Sequence, residues 1–307
     1  MTLLVAFAPD GRGKAVLHLA AMLAHSADDE LAVCAVVPAP WYPSPARVDA
    51  EYRAYLQRTA DEALEKARKR LPSDIRASFL VHDARSVPAG LLEVAERREA
   101  ALIVVGSSAS GGVGQVTLGS ASSRLLYSSP IPVAVAPRGF RSRPDARVAR
   151  VTAAFGGSES AENLVIAAAG VAAGVGATLR LASFAVRSRA PYTVAVGTEA
   201  DESMFTEWSE QMEEAGRAAL DRVEDLPAVP RELETAIGRG ESWEEALEDI
   251  EWEDGDVLVV GSSTIGPVAR VFLGSRGAKI VRHSPVPVVV VPRGAAEKLA
   301  EEAQSGG

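Results

Sequence analysis

The hydrophobic pattern alternates between two kinds of segment along the chain. Short apolar runs such as Leu3-Leu-Val-Ala-Phe-Ala8, Ala101-Leu-Ile-Val-Val105 and Val286-Pro-Val-Val-Val-Val291 stand between longer stretches whose apolar residues recur every three to four positions. The first kind has the length and continuity of strands buried on both faces, the second the period of amphipathic helices. The pattern predicts strands at 3–8, 31–37, 75–81, 101–105 and 131–136, with helices at 12–26, 46–70, 86–97 and 119–127 between them. The same order then returns, with strands at 149–155, 177–185, 231–237, 256–260 and 286–291 and helices at 159–173, 203–224, 241–250 and 274–282. Strict β-α alternation with continuous apolar strands implies an α/β fold made of two doubly wound domains. Each is expected to be a five-stranded parallel sheet with helices on both faces.

The repetition is also one of sequence. Val104 to Gly139 recurs as Val259 to Gly294 at a constant offset of 155 without a gap, and 19 of the 36 positions are identical. The boundaries read as a first domain over 1–139, a polar Pro-broken linker over 140–147, a second domain over 148–294 and a charged tail over 295–307, expected to be a short frayed helix. The clearest difference between the halves is the acidic stretch 198–225, which carries Met204, Phe205, Trp208 and Met212. It is expected to be a loop followed by an amphipathic helix burying those side chains, and alternatively a lid or docking surface. Trp41-Tyr42-Pro43 invites the same two readings.

Ligands of doubly wound folds sit beyond the carboxyl ends of the strands, where the strand order reverses. Two glycine-bearing loops fall there. Gly106 follows one strand, and 13 residues later Gly119-Ser120 opens a helix; Gly261 and Gly274-Ser275 repeat the spacing. Glycine at a strand end lets a ligand approach the backbone, and Gly-Ser at a helix start presents amide donors, a hydroxyl and the positive dipole end to a phosphate. The plain alternative is that these residues only turn the chain and cap helices.

Composition narrows the rest. The formal net charge of −9 argues against a nucleic-acid partner, since an acidic surface repels phosphate backbones. A small phosphate ligand held by backbone amides stays open. Cys34 is the only cysteine and lies in an apolar run, so a buried strand thiol is expected, and no intramolecular disulfide can form. With no apolar run near the ~18 residues that span a bilayer, and Thr2 to Ala8 reading as a strand rather than a signal peptide, a cytoplasmic protein with no membrane partner is expected. No Walker sequence and no G-x-S-x-G elbow is present, and His18, His25, His82 and His283 lack metal-ligand spacing. His283, near the end of a helix, is explained by the dipole's negative end. No catalytic constellation appears, so at most a weak ATPase activity is expected.

The two loops resemble the G-x-x-G-x9-G-[S/T] ATP-binding motif of the universal stress protein family, and the closing Ser-Pro-x-Pro-Val strands are similar as well. The resemblance covers both halves and implies a Rossmann-like, adenine nucleotide alpha hydrolase-like fold and a stress-response or signalling module. It implies ATP or a related adenine nucleotide, with Mg2+, as ligand. It places Gly106, Ser108, Ala109, Gly119, Ser120 and Ser122 at the nucleotide in the first half, with Val36 by the base. In the second half it places Gly261, Ser263, Thr264, Gly274 and Ser275, with Phe184 by the base and Gly277 where Ser122 stands in the first. Ala109 and Thr264 replace the motif's middle glycine, and the family's first-strand aspartate falls on Ala8 and Gly156. In the family the last strand pairs with that of a neighbouring domain. By resemblance Val133-Ala-Val135 and Val288-Val-Val290 would make that contact and join the halves into an intrachain pseudo-dimer, with a further homodimer open. The second reading, of another class, is a scaffold that binds no nucleotide and acts through an unknown protein partner.

Overall fold

The computed structural model describes residues 1–8, 13–38, 46–108, 112, 114–157, 161–187, 198–262 and 273–306. The first half runs β1 (Thr2–Ala6), α1 (Lys14–Ala27), β2 (Glu30–Pro38), α2 (Ala46–Arg68), β3 (Ala77–Ala84), α3 (Val87–Arg97), β4 (Ala100–Gly106), α4 (Ser120–Ser128) and β5 (Val133–Ala136). The second half runs β6 (Arg150–Ala154), α5 (Glu162–Val175), β7 (Thr178–Val186), α6 (Thr198–Glu224), β8 (Leu233–Gly240), α7 (Trp243–Glu248), β9 (Asp256–Gly261), α8 (Ser275–His283), β10 (Val288–Val291) and α9 (Arg293–Ser305).

All ten strands form one sheet in the order β3-β2-β1-β4-β5-β10-β9-β6-β7-β8. Within each half the pairing is parallel, and the order reverses at β1/β4 and again at β6/β9. The seam is antiparallel: Val288 lies opposite Val135, Val289 opposite Ala134 and Val290 opposite Val133. These are the residues that the resemblance pointed to.

Period-two alternation divides the core into two layers. Leu3, Val5 and Phe7 of the first strand segment, and Leu31, Val33 and Ala35 of β2, point to the face covered by α1, α2, α5, α6 and α9. Leu4, Ala32 and Cys34 point to the other face, covered by α3, α4, α7 and α8. Each layer contains residues of both halves, so the core is continuous across the seam.

Two expectations are corrected. The tail is no frayed end: α9 lies along α5, with Ala296 and Ala300 buried. A Cβ placed on Gly170 would stand 2.7 Å from the Ala303 Cβ, so the two backbones approach as closely as glycine permits. The small residues repeating along Ala296, Ala300 and Ala303 are what make this packing possible. The stretch 198–224 is helix throughout rather than loop then helix, and Phe205, Trp208 and Met212 are half-buried along it. Trp41-Tyr42-Pro43 lies outside the described residues.

Candidate functional site

At the β1/β4 reversal, Gly106 closes β4 and α4 begins at Ser120. A Cβ on Gly106 would meet Val16 Cγ2 at 2.7 Å, and one on Gly261 would meet Leu164 Cδ2 at 3.2 Å. In both halves, then, the helix that follows the first strand packs over the strand-end glycine, more tightly at Gly106 than at Gly261. Ser122, buried in the first turn of α4, donates its hydroxyl to the Gly106 carbonyl at 3.1 Å. Gly277 stands at the equivalent place in α8, and a Cβ there would press on Leu273 at 3.1 Å. The sequence difference therefore records tighter packing in the second half.

The connection from Gly106 to Gly119 folds back on itself. The Ser107 hydroxyl donates to the Thr117 carbonyl at 3.1 Å, and the Ser108 amide donates to the same oxygen at 2.6 Å. Ser108 thereby faces Gly119, whose Cβ, were there one, would lie 3.6 Å from that of Ser108. The structure thus brings Gly106, Ser108, Gly119, Ser120 and Ser122 together. Ser120 and Ser275 are exposed at the first positions of α4 and α8. Ala109, Ser263 and Thr264 lie outside the described residues. Val36 is buried against Ala84 and Gly90, whose Cβ would meet Val36 Cγ1 at 2.8 Å, and Phe184 packs against the same core layer. At Gly156 nothing lies within 4 Å of where a Cβ would point.

Helix starts distinguish the crevice from the rest of the molecule. Ser86 caps α3 by accepting the Ala89 amide, and Ser242 caps α7 by accepting the Glu245 amide. Among the described residues, the four helices that begin beside the reversals carry no side-chain cap: α1 after Gly13, α4 after Gly119, α5 after Ala161 and α8 after Gly274. The first amides of a helix have no carbonyl one turn back, so each of these starts offers unsatisfied donors and a positive dipole end.

In the second half a cavity of about 280 Å3 opens at the strand ends, lined by Asn163, Leu164, Gly261, Ser262, Val291, Arg293 and Ala296. The Ser262 amide donates to the Val291 carbonyl at 3.0 Å, and its hydroxyl accepts the Arg293 amide at 3.2 Å. Sequence reasoning missed Asn163, Arg293 and Ala296, because the tail's docking is a tertiary event. The Pro-Arg-Gly repeated after β5 and β10 was the one signal available. The loops supply no carboxylate among their described residues, so Mg2+ at either site would arrive bound to the phosphates.

The other ionisable groups do not converge on the crevice. His25 pairs with Asp74 at 3.1 Å and His82 with Glu93 at 2.8 Å, while His18 Nδ1 lies 3.4 Å from the Ser142 amide. Arg282 and His283 sit in the last turn of α8, as the dipole favours. Among the described residues no group of three or more His, Cys, Asp or Glu side chains is placed to hold a metal, and no helix is long and apolar enough to cross a membrane. Burial pushes the Cys34 thiol up to about 12, although Arg98 pulls the other way.

A buried charge cluster lies at the opposite, amino-terminal ends of β6, β7 and β9. Arg150 bonds both oxygens of Asp256, at 3.0 and 2.8 Å. Arg180 is 4% exposed; its Nε donates to Thr152 Oγ1 at 3.1 Å, its Nη1 donates to the Glu251 carbonyl at 2.8 Å, and its guanidinium stacks 4.7 Å from the Trp252 ring. Burial and the neighbouring Arg150 lower the Arg180 pKa against the pull of Asp256. At Arg150 burial is the largest influence and works in the same direction, but the Asp256 hydrogen bond together with the charges of Asp256, Glu234 and Glu253 outweighs it and raises the pKa. In the first half Leu4 and Ala32 hold the places of Thr152 and Arg180, so the cluster belongs to the second half alone.

With this geometry in view, comparison with known proteins is direct. The universal stress protein family model matches twice, over residues 1–137 and 148–292. Universal stress proteins of Mycobacterium tuberculosis and Mycobacterium bovis are each 37% identical over 296 residues, covering 95% of this chain and all of theirs. Among solved structures, a universal stress protein of Archaeoglobus fulgidus aligns with a TM-score of 0.57 at 19% identity, over 94% of this chain and 98% of its own. One of Pseudomonas aeruginosa aligns at 0.56 and 15%, over 98% and 97%, and these two likenesses concern the fold. A doubled sequence, a doubled doubly wound sheet joined at its last strands and these full-length likenesses agree: the chain belongs to the universal stress protein family, in its tandem form.

Proposed function

We propose that the chain is a stress-response or signalling module whose state depends on binding ATP or a related adenine nucleotide in the crevices at β1/β4 and β6/β9. The units would be residues 1–139 and 148–294, working in the cytoplasm. The observation that carries this reading is the capping pattern. Among the described helix starts, the two beside the reversal in each half are left without side-chain caps, whereas α3 and α7, which start away from it, are capped by serine. Gly at three of these starts costs only about a few tenths of a kcal/mol relative to Ser or Asp, and Ala161 at the fourth about 1 kcal/mol, and at each a ligand oxygen would take the cap's place.

Gly119, Ser120 and the backbone around Ser108 would receive phosphate in the first half, and Gly274 and Ser275 in the second, with Gly261 and Ser262 walling the second crevice. The halves differ in charge: residues 1–147 carry 18 Lys and Arg against 15 Asp and Glu, and residues 148–307 carry 14 against 26. A net +3 against a net −12 favours the polyanion in the first half.

Calorimetric titration of nucleotide-free protein with Mg-ATP tests the reading when paired with Gly119→Asp and Gly274→Asp. The backbone at both positions is one that any residue adopts (φ −74° and −53°), so aspartate fits. It would cap the helix and repel phosphate without disturbing the core. Two sites should fall to one in either variant and to none in the double variant. Heat that persists in the double variant, or none in the wild type, refutes nucleotide binding here and favours the scaffold acting through a protein partner.

A further inference from the structure

We infer that α9 is the element through which the second crevice communicates its occupancy, docking more firmly on α5 when nucleotide is bound. The inference rests on nucleotide binding to that crevice and adds how it is read out. The helix begins inside the site: Arg293 and Ala296 line the same cavity as Gly261 and Ser262. The contact that starts the helix, the Arg293 amide on Ser262 Oγ, belongs to the strand end that a ligand would touch. From there α9 runs 13 residues, ~20 Å, along α5 to a Gly306 that rests near Pro227, beyond the far end of α6.

Three features make the helix responsive to the site. Its N-cap is Pro292, which gives no side-chain cap, and Ser262 Oγ takes the Arg293 amide, so an anion in the cavity would meet the other first-turn amides and the positive end of the dipole. Ser262 can donate its hydroxyl proton to a phosphate oxygen while its oxygen continues to accept from Arg293, so ligand and helix need not compete for it. The docking face is made of small side chains, with Ala296, Ala300 and Ala303 against α5 around Gly170, so its hold depends on how closely the two backbones approach. A contact of that kind has an opening free energy that a ligand can shift.

The first half is built otherwise at the same point. Arg138, which matches Arg293, exchanges backbone hydrogen bonds with the Gly-rich loop: its amide donates to the Gln115 carbonyl and its carbonyl accepts from Gly114. The chain then turns at Gly139 and becomes the connection between the halves, fastened to α1 where Ser142 Oγ donates to the His18 carbonyl and the Val148 amide to Ser26 Oγ. Among the described residues a helix follows the last strand of a half after β10 and not after β5, so the readout belongs to the second half.

Hydrogen exchange on the full chain carrying Gly119→Asp, which leaves the second crevice as the only nucleotide site, tests this. Calorimetry on the same sample establishes binding. Saturating Mg-ATP should slow exchange of the α9 amides at least fivefold while those of α2 stay within twofold, and adding Gly274→Asp should abolish the effect. By reciprocity, Ala300→Asp, which undocks α9, should weaken Mg-ATP binding at least fivefold. Binding without a change in α9 exchange overturns the inference and leaves nucleotide binding standing. No binding in the Gly119→Asp protein overturns the inference together with nucleotide binding to the second crevice, and leaves binding to the first for the wild-type titration to decide.

Discussion

Val288 of β10 lies directly opposite Val135 of β5, both fully buried, in the antiparallel register that turns two five-stranded sheets into one. Each side chain packs in a layer containing residues of both halves, so the seam is core rather than contact surface. Truncating either, Val135→Ala or Val288→Ala, should cost about 2 kcal/mol through lost burial and residual cavity. Because the two residues touch, a double-mutant cycle by chemical denaturation should return a coupling of at least about 0.5 kcal/mol. Strict additivity would mean that the halves fold without regard to each other.

The Cys34 thiol gives a pH signature. Its folded pKa is raised from 9.0 to about 12 by burial, so the protonated form is the one that the folded state favours. The associated stability is present below pH 9 and is lost as pH rises from 9 towards 12, since only the unfolded chain releases the proton there. The slope is about 1.4 kcal/mol per pH unit. Denaturation of the wild type and Cys34→Ala across pH 8 to 11 should show this extra slope in the wild type only. The native thiol should also resist alkylation at pH 7.

Asp256 neutralises two arginines in a buried place. Asp256→Asn would leave Arg150 and Arg180 with only the more exposed Glu234 and Glu253, at 3.5 and 4.0 Å from Arg150, and a loss of about 3 kcal/mol is expected from the denaturation midpoint. Arg180→Met removes the more buried of the two cations and should cost markedly less. Equal losses in the two variants would contradict this account of the cluster.

Ser122 separates structure from ligand contact. Its hydroxyl is already given to the Gly106 carbonyl, so Ser122→Ala should cost about 1 kcal/mol of stability. It should change Mg-ATP affinity of the first half less than threefold. A tenfold loss of affinity would show that the hydroxyl turns to the ligand.

Much of the architecture is readable from residues alone, because continuous apolar runs and 3.6-residue periods reflect burial that each element needs locally. The runs around Ala101-Leu-Ile-Val-Val105 and Val286 to Val291 became central strands of the sheet for that reason. The candidate loops were legible too, as glycine spacing repeated at an offset of 155. What each glycine is for was not. Gly106 answers to Val16, 90 positions away in the chain, and Gly277 to Leu273 and Val260, and such contacts leave no periodic trace. The tail misled for a related reason: its apolar face is made largely of alanine, and its helix is held by a close approach at Gly170 that only the folded pair of helices creates.

The sequence by itself therefore determined the doubled α/β order, the two glycine loops and the strands that would meet at the seam, because local pattern and internal repetition encode them. Only the tertiary structure decided which helix starts remain uncapped, that Arg180 and Asp256 share a buried site, and that α9 begins in the second crevice. Those features depend on residues distant in the chain being brought within a few ångströms, where packing space and desolvation, rather than propensity, set the outcome.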